Sequence, residues 1–101
     1  MAHIPNTLRP STPDDFELAS AVEDRFLVIC QTHLRMHGEE LDIPMSLAAD
    51  FKRWREMRVR HKSGDLRNTE AELKSVQTVA QWVLDKNSEL RGQEKKVIQW
   101  K

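Results

Sequence analysis

Tyrosine is absent from this chain, cysteine occurs once, glycine three times and proline four times. A lone thiol, Cys30, excludes an intramolecular disulfide. The start, MAHIPNTLRPSTPDD, has no apolar signal core, so the expected setting is a reducing, cytoplasmic one. No apolar stretch approaches the roughly 20 residues a membrane-spanning helix needs. The longest, Phe26 to Cys30 (FLVIC), reads as a core segment, and no membrane partner is expected. Three glycines leave little material for a phosphate-cradling loop, and G-x-S-x-G and H-E-x-x-H are both missing. The acidic pairs Asp14-Asp15, Glu23-Asp24 and Glu39-Glu40 are adjacent in sequence, so on a helix they point to different sides rather than converging. The expectation is a protein that is not an enzyme, with no cofactor and no small-molecule substrate.

What is present suffices for one folded domain. The chain has 101 residues, of which 39% are apolar and 32% charged. That is polar for a globular domain, yet too rich in Leu, Val, Phe and Trp to stay disordered. The formal net charge is zero, but the charge is segregated. The first fifty residues carry three basic and nine acidic side chains. The next seventeen, FKRWREMRVRHKSGDLR, hold seven basic residues (Lys52, Arg53, Arg55, Arg58, Arg60, Lys62, Arg67) against Glu56 and Asp65. Such segregation creates local fields that steer charged partners although the total vanishes.

The periodicity predicts an all-α fold, either a three-helix bundle or a helical hairpin with a third helix. Residues 1–11, with Pro5 and Pro10 and no periodic pattern, read as a flexible, extended arm. Residues 12–92 form the helical domain and 93–101 a C-terminal tail. Ser11 or Thr12 caps a first helix from Pro13 to His37, stopped by Gly38. Its apolar stripe is Ala19, Val22, Phe26, Ile29, Cys30 and His33. A second helix opens at Pro44 or Ser46 and ends near Lys62, with Leu47, Phe51 and Trp54 facing the core. Beyond Trp54 the stripe meets Arg58, His61 and Lys62, so the second half is expected to project past the core. Thr69 and Glu72 make a capping box for a third helix striped by Leu73, Val76, Ala80, Val83 and Leu90, with Asn87 interrupting. Gly92 is expected to end it, and the alternation of Ile98 and Trp100 favours an extended tail.

Three constellations bear on function. The basic segment, with Trp54 among its cations, has the composition of a phosphate-contacting helix with an aromatic available for base stacking. Against it stand the neutral total charge, the absence of any helix-turn-helix or zinc-finger signature, and two other uses for the cations: the helix C-terminus and the chain's own acidic first helix. Cys30, His33 and His37 share a face at C-x2-H-x3-H spacing, where a thiolate and two imidazoles could meet a metal, with Glu40, Asp42 or His61 as a fourth ligand. The simpler reading is a small buried Cys30, and no metal is expected. Trp82 and Trp100 fall outside the core stripes, as binding aromatics or as a pair covering one another. The first-helix stripe, counted with Leu27 and Leu34, is wide for two short partners, so Phe26, Ile29, Met36, Trp82 and Trp100 are the expected protein interface. The expected function is macromolecular interaction, as an adaptor, regulatory subunit or protein inhibitor that binds another protein or a second copy. The alternative is a nucleic-acid-binding regulator using residues 52–62.

Overall fold

A computed structural model describes the backbone of residues 7–99 and the side chains of residues 7–93. Three helices pack together: α1 (Pro13–His37), α2 (Ala48–Lys62) and α3 (Glu70–Gln99). Two short strands, β1 (Arg9–Pro10) and β2 (Arg67–Asn68), pair antiparallel.

The ends of α1 follow from local chemistry. The Thr12 hydroxyl accepts from the Asp15 amide, the Asp15 carboxylate accepts from the Thr12 amide, and Pro13 occupies the first turn, where its missing N–H costs nothing. At the other end Gly38 adopts φ 73°, a left-handed conformation that glycine reaches without strain, and its N–H closes on the Leu34 carbonyl. The Thr69–Glu72 capping box opens α3 as the sequence predicts: each backbone N–H donates to the other residue's side chain, at 2.9 and 3.0 Å.

Helix α2 runs antiparallel to its neighbours. Phe51, near its start, meets Phe26 on α1 and Trp82 on α3, whereas His61, near its end, meets Phe16 close to the beginning of α1. The core is built from Ala19, Val22 and Ile29 of α1, Phe51, Trp54 and Met57 of α2, and Val76, Val79, Val83 and Leu90 of α3. Burying a side chain of this size contributes about 1.5–3 kcal/mol. At its centre Phe51 makes edge-on or tilted contacts with Phe26, Trp54 and Trp82, at centroid distances of 5.4, 5.8 and 5.5 Å. Such pairs add about 0.5–1.5 kcal/mol each beyond area burial.

Four sequence expectations are corrected. Helix α2 starts later than Pro44 or Ser46, because a 3-10 turn over Met45–Leu47 precedes it. Its second half does not project past the core: Met57, Arg58 and His61 are all buried. Gly92 does not end α3, which continues to Gln99. The glycine keeps a negative φ, and the good helix formers on either side outweigh a cost of about 1 kcal/mol. The backbone through Ile98 is therefore helical rather than extended, while Trp100 lies outside the described residues. Finally, residues 9–11, assigned to the arm, are extended but fastened. Arg9 pairs with Asn68, Pro10 with Arg67, and the Ser11 N–H donates to the Leu66 carbonyl at 2.8 Å.

Candidate interaction surfaces

Most of the basic segment is engaged inside the fold. Arg58, 8% exposed, donates to Glu23 of α1 at 3.3 Å, and the Lys62 ammonium lies 3.0 Å from the same carboxylate. Burial alone would raise the Glu23 pKa, but the hydrogen bonds and charges of Lys62 and Arg58 outweigh it and hold the group below its ordinary value. Arg60 forks onto Glu72 with two parallel bonds of 2.7 and 2.9 Å. Glu72 is 4% exposed and also caps α3, so one carboxylate ties the end of α2 to the start of α3. Arg67 pairs with Asp65 at 2.7 Å, and Arg53 reaches Asp50 and Ser75. Among the described residues, Lys52 and Arg55 are the members of the segment with no intramolecular ion pair or hydrogen bond. They lie on the exposed side of α2 beside Val59.

Trp54 is not available to stack on a base. It is buried, and its indole N–H donates to the Ala19 carbonyl at 3.2 Å. The sequence placed it on the core stripe and among the cations at once; the tertiary contact selects the first role.

The interface candidates are likewise drawn inward. Ile29 is fully buried, Phe26 packs on Phe51 and Trp54, and Met36 is half-buried against the core. The stripe looked too wide because Leu41, Ile43 and Leu47 of the α1–α2 connection add cover. Trp82 belongs to the core edge through its contact with Phe51, and the Lys86 ammonium sits 5.7 Å from its ring. Trp100 lies outside the described residues, so its pairing with Trp82 does too.

Two members of the wide stripe do remain outside. Leu27 is 54% exposed and Leu34 51%. They stand seven residues apart on the side of α1 that faces away from Ala19, Val22 and Ile29. Beside Leu34 lies a hollow of about 290 Å³, lined by Cys30, Gln31, Glu40 and Leu41. Burial, helped by the Glu40 charge, pushes the Cys30 thiol above its ordinary pKa, which disfavours the reactive thiolate.

The histidines do not converge on a metal. The rings of His33 and His37 lie tilted against one another with centroids 4.6 Å apart, but His33 bonds the Glu39 carbonyl and His37 the Gln93 side chain, at 3.0 and 3.1 Å. His61 sits at the opposite end of the bundle, against Phe16 and Ser11. Among the described residues no group of three His, Cys, Asp or Glu side chains is arranged to hold a metal ion.

Sequence reasoning missed Glu23 and Glu72 as anchors for the arginines. Glu72 carried a signal as the capping residue, whereas Glu23 carried none beyond its place on an acidic helix. Comparison with protein-family models, with curated proteins and with solved structures finds no match to this chain.

Proposed function

We propose that this chain is a non-catalytic, cytoplasmic protein-interaction module, an adaptor, regulatory subunit or protein inhibitor of a larger assembly, and that its docking face is the outer side of α1. The observation that carries the reading is the exposure of Leu27 and Leu34 on one face, seven residues apart, where the fold makes no use of them. Exposed leucines at helical spacing beside a hollow are what a partner helix or loop packs into. The acidic first half of α1 supplies a charged rim that selects among partners and speeds encounter.

The test is association measured by light scattering and sedimentation, alone and with candidate partners, on the wild type and on Leu27→Glu/Leu34→Glu. The expected outcome is a complex that the double variant abolishes with no fall in its unfolding midpoint, because neither side chain contributes to the core. A wild type that stays monomeric, captures nothing and binds no apolar dye refutes the reading. The nucleic-acid alternative keeps the support of Lys52 and Arg55, which are exposed and without a partner among the described residues.

A further inference from the structure

We propose that the groove between α1 and α3, on the flank that α2 does not cover, is a binding site for a phosphate group. A cavity of about 190 Å³ lies there, and its described lining comes from these two helices. Three guanidinium groups border it: Arg25 and Arg35 from α1, and Arg91 from α3. Its described lining includes no carboxylate.

Like charges gathered around one cavity repel one another, and an anion bound among them relieves that repulsion. Arg25 and Arg91 are exposed and take part in no ion pair or hydrogen bond among the described residues. The paired arginines of α2 differ in this respect, since each has its acid within the chain.

Two neutral donors complete the site. Thr32 and Asn87 are half-buried at the cavity, and neither side chain has a hydrogen-bond partner among the described residues. Asn87 occupies the position where the apolar stripe of α3 would continue from Val83 to Leu90. An apolar residue there would extend the core. An amide instead places a donor at the groove. The apolar floor, Ile29 and Leu90, lowers the local dielectric and strengthens every charge-assisted bond made above it.

The forked geometry of arginine matches a phosphate, which offers several acceptor oxygens and up to two negative charges. A cavity of this size takes the phosphate group and the atoms next to it, not a folded segment. A free phosphate ester and a phosphorylated side chain of a partner share this chemistry.

The experiment is a nuclear magnetic resonance titration of the full chain with inorganic phosphate against sodium chloride at matched ionic strength, repeated with a short phosphoserine peptide. The expected result is saturable shifts at Thr32, Asn87 and the arginine Nε–H groups of this groove. Arg25→Ala/Arg91→Ala should weaken binding at least tenfold, and Lys52→Ala/Arg55→Ala should leave it unchanged. Equal affinity for the two ligands assigns the site to a small phosphate, and tighter peptide binding assigns it to a phosphorylated partner. A second readout is thermal: phosphate should raise the unfolding midpoint of the wild type and not that of the double variant. Asn87→Leu should raise the ligand-free midpoint and remove the phosphate-dependent increment. Shifts that grow linearly without saturating, or binding that survives loss of Arg25 and Arg91, would overturn the proposal.

Discussion

His61 is the side chain whose surroundings determine its chemistry most fully. The Ser11 hydroxyl donates to the Asn68 side-chain carbonyl, so towards His61 it acts as acceptor, and the proton of the neutral imidazole resides on Nε2. The other nitrogen, Nδ1, is buried with no partner. A second proton would have to enter there, with Arg58 and Arg60 close by. Burial lowers the pKa of His61 from its ordinary 6.5 and the two arginines push the same way, against the Arg67 backbone and Glu72, which favour the proton. The sign of the linkage follows. On acidification the unfolded chain takes up this proton before the folded chain does, so the stability tied to His61 is complete above the ordinary value and is lost as pH falls below it. The unfolding midpoint in urea should therefore decline between about pH 7 and pH 5.5, before the window in which Glu23 and the other carboxylates titrate. In His61→Gln that early decline should flatten. A wild-type midpoint that is level across this range would contradict the lowered pKa of His61.

At the scale of the helix, two glycines with one composition have opposite roles. Gly38 sits at φ 73°, where an L side chain is strained, whereas Gly92 has a helical backbone and open space around the place a Cβ would occupy. Gly38→Ala should lower stability by about 1 kcal/mol, and Gly92→Ala should raise it by about 0.5–1 kcal/mol, both read from chemical unfolding. The same contrast explains how much of the fold was legible. The ends of α1 and the start of α3 were readable because a cap depends on residues three or four apart: Thr12 with Asp15, Thr69 with Glu72, Gly38 with Leu34. The core stripes were readable because one helical period sorts Val76, Val83 and Leu90 onto one face. Gly92 misled because a residue type indicates a tendency, while its flanks determine the conformation. The pairing of Arg9–Pro10 with Arg67–Asn68 was hidden because two residues per strand leave no periodicity to detect. Of the candidate surfaces, the exposed leucines were legible as surplus width of a stripe. The fate of the arginines was not, since Glu23 and Arg58 are 35 positions apart and meet only once two helices cross.

For the molecule as a whole, the acidic first half and basic middle are largely two sides of one internal arrangement. Glu23 and Glu72 take up Arg58, Lys62 and Arg60, so much of the field that the sequence displays never reaches solvent. Removing one member of a buried pair leaves the other charge desolvated and unmatched, which costs several kcal/mol, whereas an exposed cation without a partner contributes almost nothing. Arg58→Ala and Arg60→Ala should each lower the unfolding free energy by about 3 kcal/mol, and Lys52→Ala/Arg55→Ala should stay within about 0.5 kcal/mol of the wild type. The same partition bounds any interaction with nucleic acid. If all seven cations of the segment met phosphates on a duplex, the logarithm of the binding constant would fall against the logarithm of salt with a slope of about −6. With Arg53, Arg58, Arg60, Lys62 and Arg67 held by their own carboxylates, two remain, and the slope should be no steeper than about −2. Anisotropy of a labelled duplex titrated at two salt concentrations distinguishes these values. A slope near the larger one would mean that the intramolecular pairs open on binding, and the fold would then have to surrender the links among its helices to reach the duplex. A slope near the smaller one, lost in Lys52→Ala/Arg55→Ala with stability intact, would confine contact to the outer side of α2. No binding at low salt would leave the segment with its structural role alone, holding α2 between an acidic α1 and the capped start of α3.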